Sequence, residues 1–264
     1  SAIITAIAYQ SMGWLTCVSL IPMLSQPINA KSLGIWGLIY MGILHWFIIG
    51  VQTTSNIPVA ILLWAITTGY YALFYAIGGA IIKQQSTRHF ATITLPILWG
   101  LIEWCKSNAW FPNPLGNLGY ATSNMASVIH SYEIIGPYGV SILLIGINIL
   151  IYKWWKTKHW QYALGVLIIL ASSQLKMPST NPPQSLSVSV IQTGTPQLKK
   201  LNRMHWPAIK ATILDQITTA KGTLVVTPET IIPTSLYPSS FTQTLQNISN
   251  NTNQSILFGS QLNN

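Results

Sequence analysis

The chain has 264 residues, of which 50% are hydrophobic and only 6% are charged, and it contains 11 Trp. This composition is typical of a membrane protein and argues against an ordinary soluble domain. The net charge of +9 reflects scarce acidic residues rather than abundant basic ones. Since no basic cluster exceeds the pair Lys199-Lys200, we attribute the charge to a membrane protein and expect no nucleic-acid partner.

The two cysteines, Cys17 and Cys105, both lie in apolar segments, so no disulfide framework is predicted. We expect neither a metal nor a cofactor. Ser1 opens inside an apolar run without an initiator Met or a charged leader, and we interpret this terminus as cut or processed.

Apolar segments follow one another from Ala2 to Ser172 and predict a polytopic α-helical membrane bundle with about seven spans, assigned to residues 1–172. Several segments are short for a perpendicular helix, and the first two could form one broken helix. The predicted segments are Ala2–Ala8, Trp14–Leu24, Leu33–Val51, Pro58–Ile82, Ala91–Cys105, Gly139–Tyr152 and Trp160–Ala171.

The loops between these segments predict the orientation of the bundle. Basic residues follow the even-numbered segments, whereas the alternate loops hold only Lys106. By the positive-inside rule, residues after about 172 then lie outside the cytoplasm. The basic residues that carry this argument are Lys31, Lys83, Arg88, Lys153, Lys156 and Lys158.

Glu103 is a carboxylate in an otherwise apolar segment, which makes it a candidate functional residue. The alternative is that Lys106, three residues later on the same helix face, neutralises it near the outer interface. Further along, Met125 to Ile135 has helical spacing and predicts a short helix lying in the interface.

Composition changes at residues 173–184, which we interpret as a linker before an outer domain at residues 185–264. That domain has alternating strand patterns and helical stripes in the order β-α-β-α-β, which predicts a mostly parallel sheet. Its elements are a strand at Leu186–Ile191, a helix at Trp206–Ala220 ended by Gly222, a strand at Leu224–Val226, a weaker helix around Phe241–Ile248 and a strand at Ser255–Gly259.

The segment from Leu224 to Pro233 places one of only four carboxylates, Glu229, just after a predicted strand. Pro228 ends that strand, and parallel sheets expose reactive groups at the carboxyl ends of their strands. An isolated Pro-Glu-Thr is also compatible with a surface glutamate bonded to its own turn.

Several motifs together resemble bacterial apolipoprotein N-acyltransferases, whose membrane bundle carries an outer nitrilase-like (carbon–nitrogen hydrolase) domain. Leu224–Pro233 resembles the family's Trp-Pro-Glu-Thr/Ser motif, with Thr227 in place of Trp. The other motifs are Glu103-Trp104-Cys105-Lys106, Phe111-Pro112-Asn113-Pro114-Leu115-Gly116 with Asn113 in place of Trp, Gly136-Pro137-Tyr138-Gly139-Val140-Ser141, and Val190–Lys199 as the first nitrilase strand.

The resemblance implies an enzyme that moves an acyl chain from a phospholipid to the N-terminal amine of a lipid-anchored apolipoprotein. It implies Glu229 as the general base of a Glu-Lys-Cys triad, and Glu103 and Trp104 along the substrate path. The chain would then lie in a bacterial inner membrane with its outer domain in the periplasm. We expect the catalytic Lys and Cys to lie beyond these 264 residues, the outer domain to be the incomplete first part of an α/β sandwich, and the chain alone to be inactive.

Two alternatives remain open from the sequence. Another membrane-fused carbon–nitrogen hydrolase would share Glu229 and act on a different amide or amine. A non-enzymatic transporter or assembly protein would be favoured if Asn264 were the natural terminus.

Overall fold

The computed structural model describes residues 1–53, 56–84, 88–172, 185–228 and 239–259. The chain divides into two compact units, Ser1–Pro178 and Ser179–Asn264. The described part of the first is helical, and that of the second contains a small parallel sheet. The predicted linker at residues 173–184 lies outside the described residues.

The described part of the first unit contains eight α-helices and two 3₁₀ helices. The 3₁₀ helices are Gly13–Cys17 and Trp46–Thr53. The α-helices are α1 (Ala2–Gln10), α2 (Ile21–Leu24), α3 (Ala30–Leu44), α4 (Ile57–Lys83), α5 (Arg88–Asn108), α6 (Leu118–Ala121), α7 (Ala126–Thr157) and α8 (Trp160–Ser172).

Among the described helices, two are long and apolar enough to cross a membrane, namely α4 and the His130–Thr157 part of α7. Three further apolar stretches, Gly13–Leu24, Ala30–Leu44 and Trp160–Ser172, are shorter. Helix length therefore does not support the predicted count of about seven spans, although a helical membrane unit fits the observed elements.

Two predicted spans are interrupted for identifiable reasons. The segment Trp14–Leu24 is a 3₁₀ helix followed by a single turn of α2, which begins with Ile21-Pro22. The segment Leu33–Val51 stops being α-helical at His45, whose backbone (φ −92°, ψ 7°) leads into the second 3₁₀ helix. Short and broken helices of this kind were not predictable from hydrophobic run length alone.

The predicted interfacial helix at Met125–Ile135 is not separate from the span that follows it. It forms the first part of α7, and the two parts meet at Gly136 (φ 64°, ψ −179°), which precedes Pro137. Glycine tolerates this left-handed φ, and proline removes a helical hydrogen-bond donor, so the pair accounts for the break.

Helices α3 and α4 pack closely because small residues line their contact. A Cβ atom placed on Gly37 would lie 2.9 Å from the Tyr75 ring, and one placed on Gly79 would lie 2.3 Å from the Asn29 carbonyl oxygen. Asn29 caps α3, and its carbonyl accepts the first backbone bond of that helix, from Leu33. Glycine thus lets the backbones approach, as in other membrane helix pairs.

Gly79→Ala is expected to lower the free energy of unfolding by about 1–3 kcal/mol, because the added methyl group must displace the backbone at Asn29. Gly69→Ala is the matched control on the same helix. A Cβ atom at Gly69 meets nothing within 4 Å, so alanine should be neutral or stabilising through its higher helix propensity. Thermal unfolding in detergent measures both, and equal midpoints would contradict the packing argument.

The described part of the second unit is a three-stranded parallel sheet, with β1 (Val188–Val190), β2 (Leu224–Val226) and β3 (Ser255–Leu257) in that spatial order. Helices α9 (Gln197–Leu201) and α10 (Trp206–Thr219) precede β2, with a 3₁₀ turn at Arg203–His205 between them, and α11 (Ser240–Thr252) precedes β3. The register aligns Ser189, Val225 and Ile256 across the sheet. The observed order β-α-β-α-β is the predicted one.

The stripe of Ile209, Ile213 and Ile217 on α10 is buried, as its helical spacing predicts, and it packs in one cluster with Val225. Gly222 does not cap α10 in a left-handed conformation as expected, since it is not among the described glycines with positive φ. It instead allows a close approach to β1: a Cβ atom there would lie 2.5 Å from the Ser189 nitrogen.

Candidate functional site

Helix α5 carries Glu103 and Lys106 on its buried face. The apolar residues of that face, including Leu95, Trp99 and Ile102, recur at helical spacing, and the two charged residues continue the same stripe. Both side chains are 0% exposed. Burying two charged groups is costly unless each is held by hydrogen bonds, so their partners define the site.

The Glu103 carboxylate bonds to one neighbouring side chain and to one distant backbone group. Its Oε1 atom accepts hydrogen bonds from the Trp99 indole at 3.0 Å and from the Leu118 backbone N–H at 2.8 Å. Leu118 begins α6, whose N-cap residue Asn117 provides no side-chain cap. Glu103 therefore supplies from another helix the acceptor that a helix N-terminus requires.

The second carboxylate oxygen is different. Oε2 of Glu103 is buried and has no hydrogen-bond partner, and the same is true of the Tyr75 hydroxyl. The rings of Trp36, Tyr75 and Trp99 pack together nearby, with centroids 5.1–5.5 Å apart. The carboxylate thus lies in an aromatic interior with unused hydrogen-bonding capacity.

Lys106 does not neutralise Glu103 through a direct ion pair, contrary to one of the two alternatives considered above. Among the described residues, no carboxylate lies within 4.0 Å of its ammonium group, which instead donates to the Leu115 carbonyl oxygen. Lys106 and Glu103 therefore bind the same loop three residues apart, one at an acceptor and one at a donor.

We call residues 109–117, between α5 and α6, the anchored loop, because buried side chains bind its backbone. In addition to Lys106, the Tyr40 hydroxyl donates to the Gly116 carbonyl at 3.0 Å, and the Tyr71 hydroxyl donates to the Phe111 carbonyl at 2.9 Å. Gly116 has a φ of 80° and packs against α3, so a side chain there would be strained. The loop contains the Phe-Pro-Asn-Pro-Leu-Gly motif identified in the sequence.

Asn113 and His45 form a polar pair beneath this loop. The Asn113 side chain accepts from the Leu115 N–H at 2.8 Å and lies 2.9 Å from the Nε2 atom of His45. Nδ1 of His45 lies 2.9 Å from the Met41 carbonyl oxygen, which can only accept. The amide NH₂ therefore donates to Nε2, and Nδ1 carries the proton of a neutral imidazole.

Asn113→Ala is expected to destabilise the protein by about 1–3 kcal/mol, since it leaves the Leu115 N–H and His45 Nε2 without their partners. Asn108→Ala is the control, because that exposed asparagine only bonds the Trp104 carbonyl within its own helix. Thermal unfolding of the two variants decides the point. An Asn113 variant as stable as the Asn108 variant would show that the pair is not holding the loop.

The tip of the anchored loop exposes aromatic side chains. Trp110 is 89% exposed and Phe111 is 63% exposed, and the Phe111 ring lies 5.9 Å from that of Tyr70. Trp104, predicted along the substrate path, is 52% exposed on the outward side of α5. Aromatic side chains fixed on a rigid loop are suited to contact an apolar or interfacial ligand.

Chemistry beyond binding is not visible in the described part of the first unit. Cys17 and Cys105 are half-buried free thiols, and no described cluster of three His, Cys, Asp or Glu could hold a metal. The buried groups Glu103, Lys106 and His45 bind loop and helix backbone, or side chains that do so. This arrangement positions a segment of chain.

Glu229 lies outside the described residues. The described chain reaches Pro228, and Thr227, immediately after β2, donates its backbone N–H to the Leu257 carbonyl at 2.9 Å. The register aligns the last residues of the three strands, Val190, Val226 and Leu257, at one edge of the sheet. In sequence, Glu229 follows that edge by three residues.

Sequence reasoning did not identify His45, Tyr40 or Tyr71 as partners of the loop. Each is separated from its partner by a long stretch of chain, and each lies in an apolar segment without a motif of its own. The only signal in the sequence was the unusual polarity of His45 within a hydrophobic run.

Comparison with known proteins relates both the loop and the bundle to a family. Residues 1–150 match the model of the apolipoprotein N-acyltransferase N-terminal domain. The chain is 27% identical over 165 residues to the apolipoprotein N-acyltransferase of Geobacter metallireducens, covering 58% of this chain and 32% of that protein. It is 27% identical over 183 residues to the Nitrosomonas europaea protein of the same name, covering 66% and 36%.

A third relative, from Rickettsia bellii, has the same name and is 26% identical over 171 residues, covering 60% of this chain and 34% of that protein. The chain spans about a third of the length of the curated relatives it matches. Since the family model covers more than half of the 264 residues, the chain belongs to the apolipoprotein N-acyltransferase family.

Proposed function

We propose that the protein containing this sequence transfers a fatty acyl chain from a phospholipid to the N-terminal amine of diacylglyceryl-cysteine lipoproteins. The observation that carries the proposal is the family match over residues 1–150, together with the shared name of the three relatives. The acceptor is lipid-anchored and the donor is a membrane lipid, so the reaction requires an enzyme held at a bilayer.

The proposed location is a bacterial inner membrane, with residues after about 172 on the periplasmic side. Support comes from α4 and α7, which are long and apolar enough to cross a bilayer, and from the distribution of basic residues in the sequence. The proposed outer domain, from residue 185, is the first part of a nitrilase-like α/β sandwich. Its support is the parallel sheet and the β-α-β-α-β order.

Glu229 is the proposed general base. A thiol attacks an ester as its thiolate, so a carboxylate must accept the thiol proton before an acyl-enzyme thioester can form. A cation or backbone donors must then stabilise the oxyanion. The argument for Glu229 is its place in the sequence three residues after Val226, the last residue of β2, at the sheet edge where α/β enzymes carry reactive groups.

Glu103 and Trp104 have separate proposed roles along the substrate path. Trp104 would contact lipid directly, because its ring is exposed. Glu103 is fully buried and would act through the anchored loop, whose exposed Trp110 and Phe111 side chains it helps to position through Leu118.

Depletion of the protein from the organism that encodes it tests the proposal. Mass spectrometry of lipoprotein N-terminal peptides should show diacylated forms accumulating at the expense of triacylated forms. Re-expression of the natural protein should reverse the change, whereas residues 1–264 expressed alone should not, because they contain neither thiol nor lysine in a nucleophile motif. Unchanged triacylation after depletion would reject the acyltransferase.

A further inference from the structure

The turn between α7 and α8 places three lysines on one short hairpin. Helix α7 ends at Thr157 and α8 begins at Trp160, so two residues connect them. Lys158 adopts a left-handed conformation (φ 60°), and its backbone N–H bonds to the Trp154 carbonyl at 2.8 Å. We call residues 152–162 the lysine hairpin; its basic residues are Lys153, Lys156 and Lys158.

The positive charge of this hairpin is uncompensated within the described chain. The acidic residues nearest in sequence are Glu133 and Asp215, and both lie far outside the hairpin. Among the described residues, no carboxylate lies within 4.0 Å of any of the three ammonium groups. Three like charges on one turn repel each other, so an anionic partner would stabilise the arrangement.

Aromatic rings hold two of these ammonium groups in place. The Lys156 Nζ atom lies 5.0 Å from the Trp155 ring centroid and 5.9 Å from that of Tyr152, and Lys153 Nζ lies 5.6 Å from the Tyr162 ring centroid. Contacts of this kind are attractive cation–π contacts. The hairpin therefore presents cations beside rings.

The surroundings indicate which kind of anion fits. Trp154, Trp155 and Trp160 are all exposed on the hairpin, and both helices leaving it are apolar. Tryptophan collects at the headgroup level of bilayers, where lysine attracts anionic lipid. Nucleic acid or a soluble anion would not require the exposed indoles or the apolar flanks.

We propose that the lysine hairpin binds the headgroups of anionic phospholipids at the membrane surface. The three ammonium groups meet the lipid phosphates while the three indoles lie among the headgroups beside them. This binding surface is separate from acyl transfer at Glu229, and it can fail without affecting that proposal.

Native mass spectrometry of the natural protein in detergent tests the hairpin with phosphatidylglycerol and phosphatidylcholine as probes. We expect the unmodified protein to retain phosphatidylglycerol preferentially. The triple variant Lys153→Gln/Lys156→Gln/Lys158→Gln should lose about a hundredfold in relative affinity for phosphatidylglycerol at low salt, from an attraction of about fivefold per lysine. The matched control is Lys199→Gln/Lys210→Gln/Lys221→Gln, which removes the same charge from the second unit and should keep the preference.

Three results would overturn the proposal. The first is equal retention of the two lipids by the unmodified protein. The second is an unchanged preference in the hairpin variant when its unfolding midpoint matches that of the control. The third is displacement of phosphatidylglycerol by millimolar glycerol phosphate, because the surface would then bind a free phosphate and not a membrane lipid.

Discussion

Replacing Glu229 by glutamine is expected to abolish acyl-enzyme formation. The amide cannot accept the thiol proton, and loss of a general base costs about 10²–10⁴-fold in rate. Because a thiol is far less nucleophilic than its thiolate, acyl transfer should fall at least to the lower of these limits. The measurement is the rate at which the natural protein, incubated with phospholipid, gains a hydroxylamine-labile acyl group.

Asp215→Asn is the matched control for this change. It also replaces a carboxylate by its amide, in the second unit, but at an exposed position on α10. We expect the control to form the acyl-enzyme at the unmodified rate. Equal rates for Glu229→Gln and the control would remove Glu229 from the mechanism while leaving the family assignment intact.

Glu103→Ala is expected to cause the largest loss of stability, about 3–5 kcal/mol. The substitution leaves the Leu118 N–H and the Trp99 indole N–H unpartnered in a buried site, and each such group costs about 1–3 kcal/mol. It also removes the only buried carboxylate near the Lys106 cation among the described residues. Thermal unfolding in detergent gives the difference from the unmodified protein.

A second measurement reports on the loop itself. Chymotrypsin should cleave Glu103→Ala faster after Trp110, since a loosened loop opens more often. Glu103→Gln keeps an acceptor oxygen and should lose less stability. Glu133→Ala is the control, because Glu133 is an exposed carboxylate whose described ion pair is a 3.9 Å contact with His130. Unfolding and cleavage at control levels in Glu103→Ala would contradict the anchoring role.

Local patterns predicted much of the fold. The stripe on α10 and the strand at Leu224–Val226 were correctly predicted, because burial periodicity and β-branched runs are properties of neighbouring residues. The bounds of α4 were predicted within one residue at each end, and Asn56 and Pro58 explain where the helix begins. Capping and proline act within a single turn, so their signals are readable in sequence.

Contacts between distant segments were not predictable in the same way. Lys106 lies three residues from Glu103 and suggested an ion pair, but each group found a backbone partner in the anchored loop. The pairing of Asn113 with His45 depends on how α3 packs beside the loop, which no local pattern encodes. The sequence thus indicated that Glu103 was unusual without indicating what it binds.

The central claim is that the natural protein carries acyl groups from phospholipid to a lipoprotein amine. Its most direct test is intact-mass analysis of the purified protein after incubation with phospholipid, followed by addition of a diacylglyceryl-cysteine peptide. We predict a hydroxylamine-labile mass increase of one acyl chain that disappears as the peptide becomes triacylated. A protein that neither gains this mass nor acylates the peptide would contradict the account.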